Sequence, residues 1–494
     1  MVRALVVVES LFVTAFLIVG GVALYHRAPP LPPIDVAALS AGPAEERWMG
    51  IFIGDQHVGY AVSREAPAAD GGRVYEEQSA FGLQAMGNVQ NIALAGTAVT
   101  GPDGTLRAFD FVLSSPMTIF AHGEMTGLHL QVDVTQGGTQ RRLDFDLKEP
   151  PVLGLTLASQ LRGRTLEPGQ TFEIPYFDPL TLTNSRAQVR VEAPEILPNG
   201  ESAWWLVSRV GGMETRRLVD EAGNTLREEE AGGIRTLAMT REEAIAVDAG
   251  PPPDLVSRAA VPLEGTIDER HPLHIVRVQV GGVEATRFAH DPPVQEVSGD
   301  EVKVSVPLLA ELSRAPVQGE GDLESTMSIP ATDPEIVNRA RAVVGDAPDR
   351  LEAARRLYQF VHEYVQKVPT MGVPNGLVVL REARGDCNEH TVLYVSLARA
   401  VGIPARIASG LVYSSQTGDD PAFYYHAWPE VRIGPLAAEI PGAMPVAGWV
   451  PVDPTLGQFP ADATHLKIVN GDLDRQVEIM SLLGKVRLKL VEQR

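Results

Sequence analysis

From Trp48 to about Thr240, apolar residues come in short runs broken by turn residues roughly every ten positions, the pattern of antiparallel strands. Trp48–Ile53 and Val58–Val62 flank Gly54-Asp55-Gln56, a hairpin in which glycine supplies a positive φ. Gly101–Arg107 and Asp220–Arg227 each place a similar turn before a strand, but two copies do not make a repeat fold. This β domain is assigned to residues 48–250. After the proline-rich Ala249–Pro253, His274–Val280 alternates with period two and ends at Gly281-Gly282. Residues 251–318 are therefore a second small β domain or an extension of the first. The polar stretch Gln318–Asp322 opens the last domain, 319–494.

Past Thr332 the period becomes helical. Asp333-Pro334 opens one helix and Gly345 closes it. Leu351, Ala354, Tyr358, Val361 and Val365 then mark the buried stripe of a longer one. Gly385–Arg406 reads as a third: Asp386 caps it, Glu389 reaches back, and Gly402 with Pro404 ends it. Cys387 falls at its first position, where free amides and the helix dipole are expected to favour a thiolate. Leu393, Leu397 and Ala400 anchor the far end in a core. His390, one turn along, is either a local hydrogen-bonding residue or a competing base. Two strands follow, Ile407–Tyr413 and Tyr424–Val431, the second with Tyr424, His426 and Trp428 on one face. Trp449–Thr455 ends a short apolar strand at Asp453. The fold class is α+β.

The N-terminus departs from all of this. Leu11–Tyr25 carries no charge and follows a lightly basic start, so residues 1–27 read as a membrane anchor with the body exported, or as a signal segment cleaved near Gly21-Val22-Ala23. The proline-rich residues 28–47 form a linker. An exported body is periplasmic or extracellular, either held at the membrane by a single pass or secreted after cleavage. With 63 acidic residues against 42 basic and a net charge of -21, nucleic acid is excluded as a natural partner. Cys387 is the only cysteine, so no intramolecular disulfide forms.

A cysteine heading a capped helix, a histidine on a following strand and an aspartate ending another form the ordered set of a thiol nucleophile, its base and the group orienting that base. The segments GDCNEHTVLYVSLARAVGIPAR, YYHAWPEV and WVPVDPT resemble, in order, the three motifs of the transglutaminase-like superfamily. The resemblance covers roughly residues 330–470. It implies a papain-like core with the cysteine helix packed on a sheet, and it puts Cys387, His426 and Asp453 in the catalytic positions. It further implies acyl transfer on amide or peptide bonds of a protein or peptide substrate, by a peptidase or amidase in preference to a transglutaminase-type cross-linker. The alternative is a catalytically silent member serving as a peptide-binding scaffold at the envelope. Animal relatives carry a tryptophan upstream of the cysteine that helps hold the oxyanion, whereas none of the five tryptophans here lies between residues 206 and 427. The Cys387 amide, with Tyr364 or Gln366, is the expected substitute. No metal or other cofactor is expected: a zinc site at Cys387 and His390 lacks a second cysteine pair, and no calcium loop is present.

Overall fold

The computed structural model describes residues 39–494 except 41, 86–87, 115–117, 137–138, 158–159, 161, 211–212, 231–232, 320, 371–372, 416, 418–419, 438–447, 472–478 and 480–481. The apolar segment 1–27 and most of the linker 28–47 lie outside the described residues. Among the described residues, no helix is long and apolar enough to cross a membrane.

The first half of the chain forms one antiparallel sheet of 14 strands running up and down between Glu45 and Met239. The first strand, Glu45–Ile53, lies at its middle, paired with Gln56–Pro67 on one side and Ile234–Met239 on the other. Gly54 turns the first hairpin at φ 63°. The two edge strands, Thr139–Asp146 and Thr171–Asp178, bring Phe145 and Phe177 to a ring-centroid distance of 5.3 Å. Phe177 also lies 5.7 Å from Phe109, so the sheet curls until both edges share one apolar interior. Each such buried ring contributes about 1.5–3 kcal/mol relative to exposure.

Residues 251–318 do not complete a sheet alone. Their strands Leu263–Glu264, Ile275–Gly281, Gln295–Ser298 and Glu301–Ser305 are joined by the C-terminal strand Arg487–Gln493, which inserts between the first two to give a sheet of 5 strands. Val276 pairs with Gln493, a separation too great to leave any local trace in sequence. This sheet shares a core with the next: Val276, Val278 and Val304 pack in one cluster with Leu411, Phe423 and Leu466.

Among the described residues, the last part has the helices Pro334–Val344, Arg350–Tyr364, Gly376–Glu382 and the cysteine helix Cys387–Ala400. They accompany a 4-stranded sheet ordered Val450–Pro451, Ala422–Val431, Ala405–Ser414, His465–Asn470. Asp333, Asp349, Asn375 and Asp386 cap these helices through their side chains, each accepting from an otherwise unpaired amide. Leu357, Val361, Leu393, Tyr394 and Leu397 bury the cysteine helix against its neighbours. Gly376 lets a second helix come close, since a Cβ there would sit 2.2 Å from Ser396 Oγ. The large sheet also grips the segment leading into these helices: Gln90 donates to Pro369 O at 2.9 Å and Gln136 donates to Val373 O.

Candidate active site

The cysteine helix begins as its sequence dictates. Asp386 accepts from the Asn388 amide at 2.9 Å, while Glu389 Oε2 accepts the Asp386 amide at 2.9 Å, completing a reciprocal cap. These bonds leave the Cys387 amide outside the cap. Gly385 is required by the same arrangement, because a Cβ there would lie 2.1 Å from the Glu389 Cβ. Thr370 Oγ1 donates to Glu389 Oε2 at 2.6 Å, tying the cap to the segment that the large sheet holds. Burial, then the Asp386 charge, pushes the Glu389 carboxyl up to about 8, so it is uncharged at neutral pH.

The helix packs on the histidine strand Ala422–Val431. Thr391 Oγ1 donates to Ala427 O at 3.1 Å, and the Ala427 amide hydrogen-bonds the Cys387 sulfur. Cys387 therefore lies against the residue next to His426. Its thiol does not follow the sequence-based expectation. Burial, followed by the Asp386 charge and more weakly by Glu389 and Asp453, pushes it well above its ordinary value despite the Ala427 amide. A helix terminus alone favours thiolate, but desolvation and three acidic neighbours outweigh it here.

His426 Nε2 lies 2.7 Å from Asp453 Oδ2. Asp453 is fully buried and also accepts from the Leu456 amide, on Oδ1, at 2.8 Å. Although burial works to raise it, the His426 and His465 rings hold it far below the usual carboxylate range. An ionised Asp453 makes His426 Nε2 the donor and leaves Nδ1 as the nitrogen able to take a proton.

His390 has a local role: its buried Nδ1 donates to Asp386 O at 2.6 Å, and burial lowers its proton affinity. Tyr364, one of the two expected oxyanion donors, is committed elsewhere, its hydroxyl donating to Leu380 O at 2.6 Å. Gln366 lies exposed on a two-residue strand paired with Arg384–Gly385, just before the cysteine.

One site residue escapes sequence reasoning. His465, buried on the strand His465–Asn470, places Nε2 3.0 Å from the same Asp453 Oδ2. Between it and the histidine strand runs Ala405–Ser414, whose Ala408 and Gly410 lie opposite Trp428 and His426. A Cβ on Gly410 would sit 2.1 Å from Leu466 O, so the strands meet only through glycine. Those small residues let side chains from the two outer strands meet across the middle one. Beside the histidines, Lys467 Nζ reaches Glu430 Oε1 at 2.8 Å and Asp291 Oδ2 at 2.5 Å, and Arg406 pairs with the same two carboxylates. The alternation of His465 and Lys467 among Leu466, Ile468 and Val469 is the signal that marked a buried polar face.

His426, Asp453 and His465 are close enough to suggest a metal triad. The two nitrogens lie 2.7 and 3.0 Å from one oxygen, however, whereas tetrahedral ligands at zinc bond lengths stand about 3.3 Å apart. The spacing is that of hydrogen bonds.

Comparison with known proteins matches residues 337–454 to the transglutaminase-like superfamily. No curated protein sequence matches the chain. Distantly similar solved structures include a candidate cysteine protease from Cytophaga hutchinsonii, at 14% identity over 44% of this chain and 86% of that one, with a TM-score of 0.29. A β-barrel-like protein from Brucella abortus is 10% identical over 40% of this chain and 96% of its own, with a TM-score of 0.33. A candidate protease from Parabacteroides distasonis is 12% identical over 64% and 62%, with a TM-score of 0.18. The cysteine-headed helix and the histidine strand both fall within the matched stretch, so residues 337–454 form a domain of the transglutaminase-like superfamily.

Proposed function

We propose that the chain is an envelope-anchored thiol enzyme that cleaves or transfers acyl groups at amide or peptide bonds through Cys387, His426 and Asp453. The observation carrying this reading is the buried 2.7 Å bond from His426 Nε2 to Asp453, on the strand whose next residue hydrogen-bonds the Cys387 sulfur. Because the resting thiol is held protonated, activation falls to His426. As the sulfur attacks a carbonyl carbon, its proton passes to Nδ1 and a tetrahedral oxyanion forms. The Cys387 amide, outside the helix cap, is the first donor to that oxyanion, with Gln366 the remaining candidate for a second. His426 then protonates the departing amine and the C–N bond breaks, leaving a thioester on Cys387. Water, giving its proton to the same nitrogen, releases the acid and restores the thiol. Asp453 steadies the imidazolium formed in both halves. The apolar N-terminus would hold this body on the exported side of the membrane, with protein or cell-envelope peptides as substrates.

The test is the rate at which iodoacetamide labels Cys387 at pH 7, followed by intact mass. With a thiol that does not ionise readily by itself, labelling depends on a neighbouring base. His426→Ala should slow it by about 100-fold, the lower end of general-base contributions. Equal rates in the two proteins would refute the assignment of His426 as base.

A further inference from the structure

The hydrogen bonds around His465 fix its state. Its Nδ1 lies 3.1 Å from Asp462 O, a carbonyl that can only accept, and 3.5 Å from Asp462 Oδ1. Its Nε2 faces Asp453 Oδ2 at 3.0 Å, and that carboxylate already receives the Leu456 amide and His426. Acceptors stand at both ring nitrogens, so both must carry hydrogen. The ring is buried, with Trp428 edge-on at 5.1 Å and His426 at 5.9 Å between centroids.

We infer that His465 is a positioning residue of this site, a buried imidazolium anchored by Asp462 that locks the Asp453 carboxylate in the orientation that receives His426. The inference rests on the catalytic reading proposed above. Two donors converge on Oδ2 from different strands while the Leu456 amide holds Oδ1, so the carboxylate cannot turn without breaking a buried charged bond. The arrangement exchanges field for orientation: His465 balances the Asp453 charge and leaves it a weaker attractor for a second imidazolium. The charged and titratable groups facing this cluster are Asp453, Asp462 and His426, with Glu430 and Lys467 lining the same small cavity as His465. Tyr358 and His390 sense the Asp453 charge from two helices. Burial draws the His465 ring toward neutrality, but Asp453 and Asp462 raise it to about 9, in accord with the hydrogen-bond pattern.

The experiment has two readouts on the full-length chain. Ring-nitrogen NMR of protein carrying labelled histidine, with the His465 signal assigned by its loss in His465→Gln, should show both nitrogens protonated at pH 7. A ring with one bare nitrogen at that pH would overturn the inference. The second readout is the pH profile of Cys387 labelling by iodoacetamide. In His465→Gln the side-chain amide can still donate to Asp453, but the charge is gone, so the carboxylate acts unbalanced on the thiol. The midpoint should move up by about one pH unit, while the alkaline plateau rate stays within about threefold. A purely structural role would leave the midpoint of the folded variant where it is, and that result would also overturn the inference. If instead wild-type labelling proves independent of His426, the enzymatic reading fails, and the NMR titration still decides the state of His465 by itself.

Discussion

Lys467 offers a quantitative test of how the floor of the site is held. It is 2% exposed and meets Glu430, itself 1% exposed, at 2.8 and 3.0 Å, and Asp291 at 2.5 Å. Burial works to raise Asp291, but Lys467 and Arg406 hold it below its ordinary value. Two cations thus answer two carboxylates, with Lys467 and Glu430 nearly dry and Arg406 and Asp291 partly exposed. Lys467→Met keeps most of the aliphatic stem and removes the charge, leaving two carboxylates to share Arg406. Breaking a buried pair from one side costs about 3–5 kcal/mol, mostly the penalty of the stranded charge. With a urea slope of about 2–3 kcal/mol per molar, the midpoint of this domain should fall by about 1–2.5 M. Tryptophan fluorescence reads the transition locally, since Trp428 lines the same cavity as Lys467 and Trp449 lies under Arg406 at 3.9 Å. The decisive comparison is Lys467→Met with Glu430→Gln in one chain, which restores one cation to one carboxylate. The double variant should recover at least half of the loss. A single-variant loss below about 1 kcal/mol, or a double variant as weak as the sum of its parts, would refute the buried-charge reasoning.

Two further outcomes follow. His465 is raised in the fold from 6.5 to about 9, so the stability it contributes is present in full below pH 6.5 and is lost as pH rises through about 9. Urea unfolding at pH 6 and pH 10 should show wild type losing about 3 kcal/mol more than His465→Gln across that window, and parallel pH dependences in the two proteins would count against a buried imidazolium. A periplasm-dependent reporter fused after Arg494 should be active and should sediment with membranes. Activity of a cytoplasm-dependent reporter would overturn the proposed orientation, and release of the whole fusion in soluble form would favour a cleaved segment.

The parts of the site that could be read in sequence are those whose cause is local. Asp386, Glu389 and Gly402 lie within or directly beside the helix they delimit, and its first residue, Cys387, follows from where Asp386 and Glu389 cap it. His426 could be placed because period two put it on a face with Trp428, and Asp453 because an apolar strand ended on it. The 14-stranded sheet was legible as strands and turns but not in its closure, which depends on Phe145 meeting Phe177 between the two edges. The insertion of Arg487–Gln493 beside Ile275–Gly281 likewise leaves no mark on either segment alone. His465 was missed because its meaning comes from Ala408 and Gly410 on another strand, which open the space it crosses.

The thiol shows where local reasoning reverses. The cap that places Cys387 at the helix start does so with Asp386 and Glu389, two carboxyl groups whose charge opposes a thiolate at that point. Helix capping and thiolate stabilisation are in conflict as soon as the capping residues are acidic and the helix end is buried. The fold relieves the conflict in part because burial and the Asp386 charge keep Glu389 protonated to about 8, against the pull of the Thr370 hydroxyl donating to it, so that one of the two charges is absent at neutral pH. It does not abolish the conflict, because Asp386 and burial still hold the proton on sulfur. In the mechanism proposed above, the nucleophile is therefore not stored as an anion: the proton leaves when a substrate carbonyl arrives and His426 accepts it. That demand explains why the orientation of Asp453 is fixed from two strands and a turn rather than left to a single hydrogen bond.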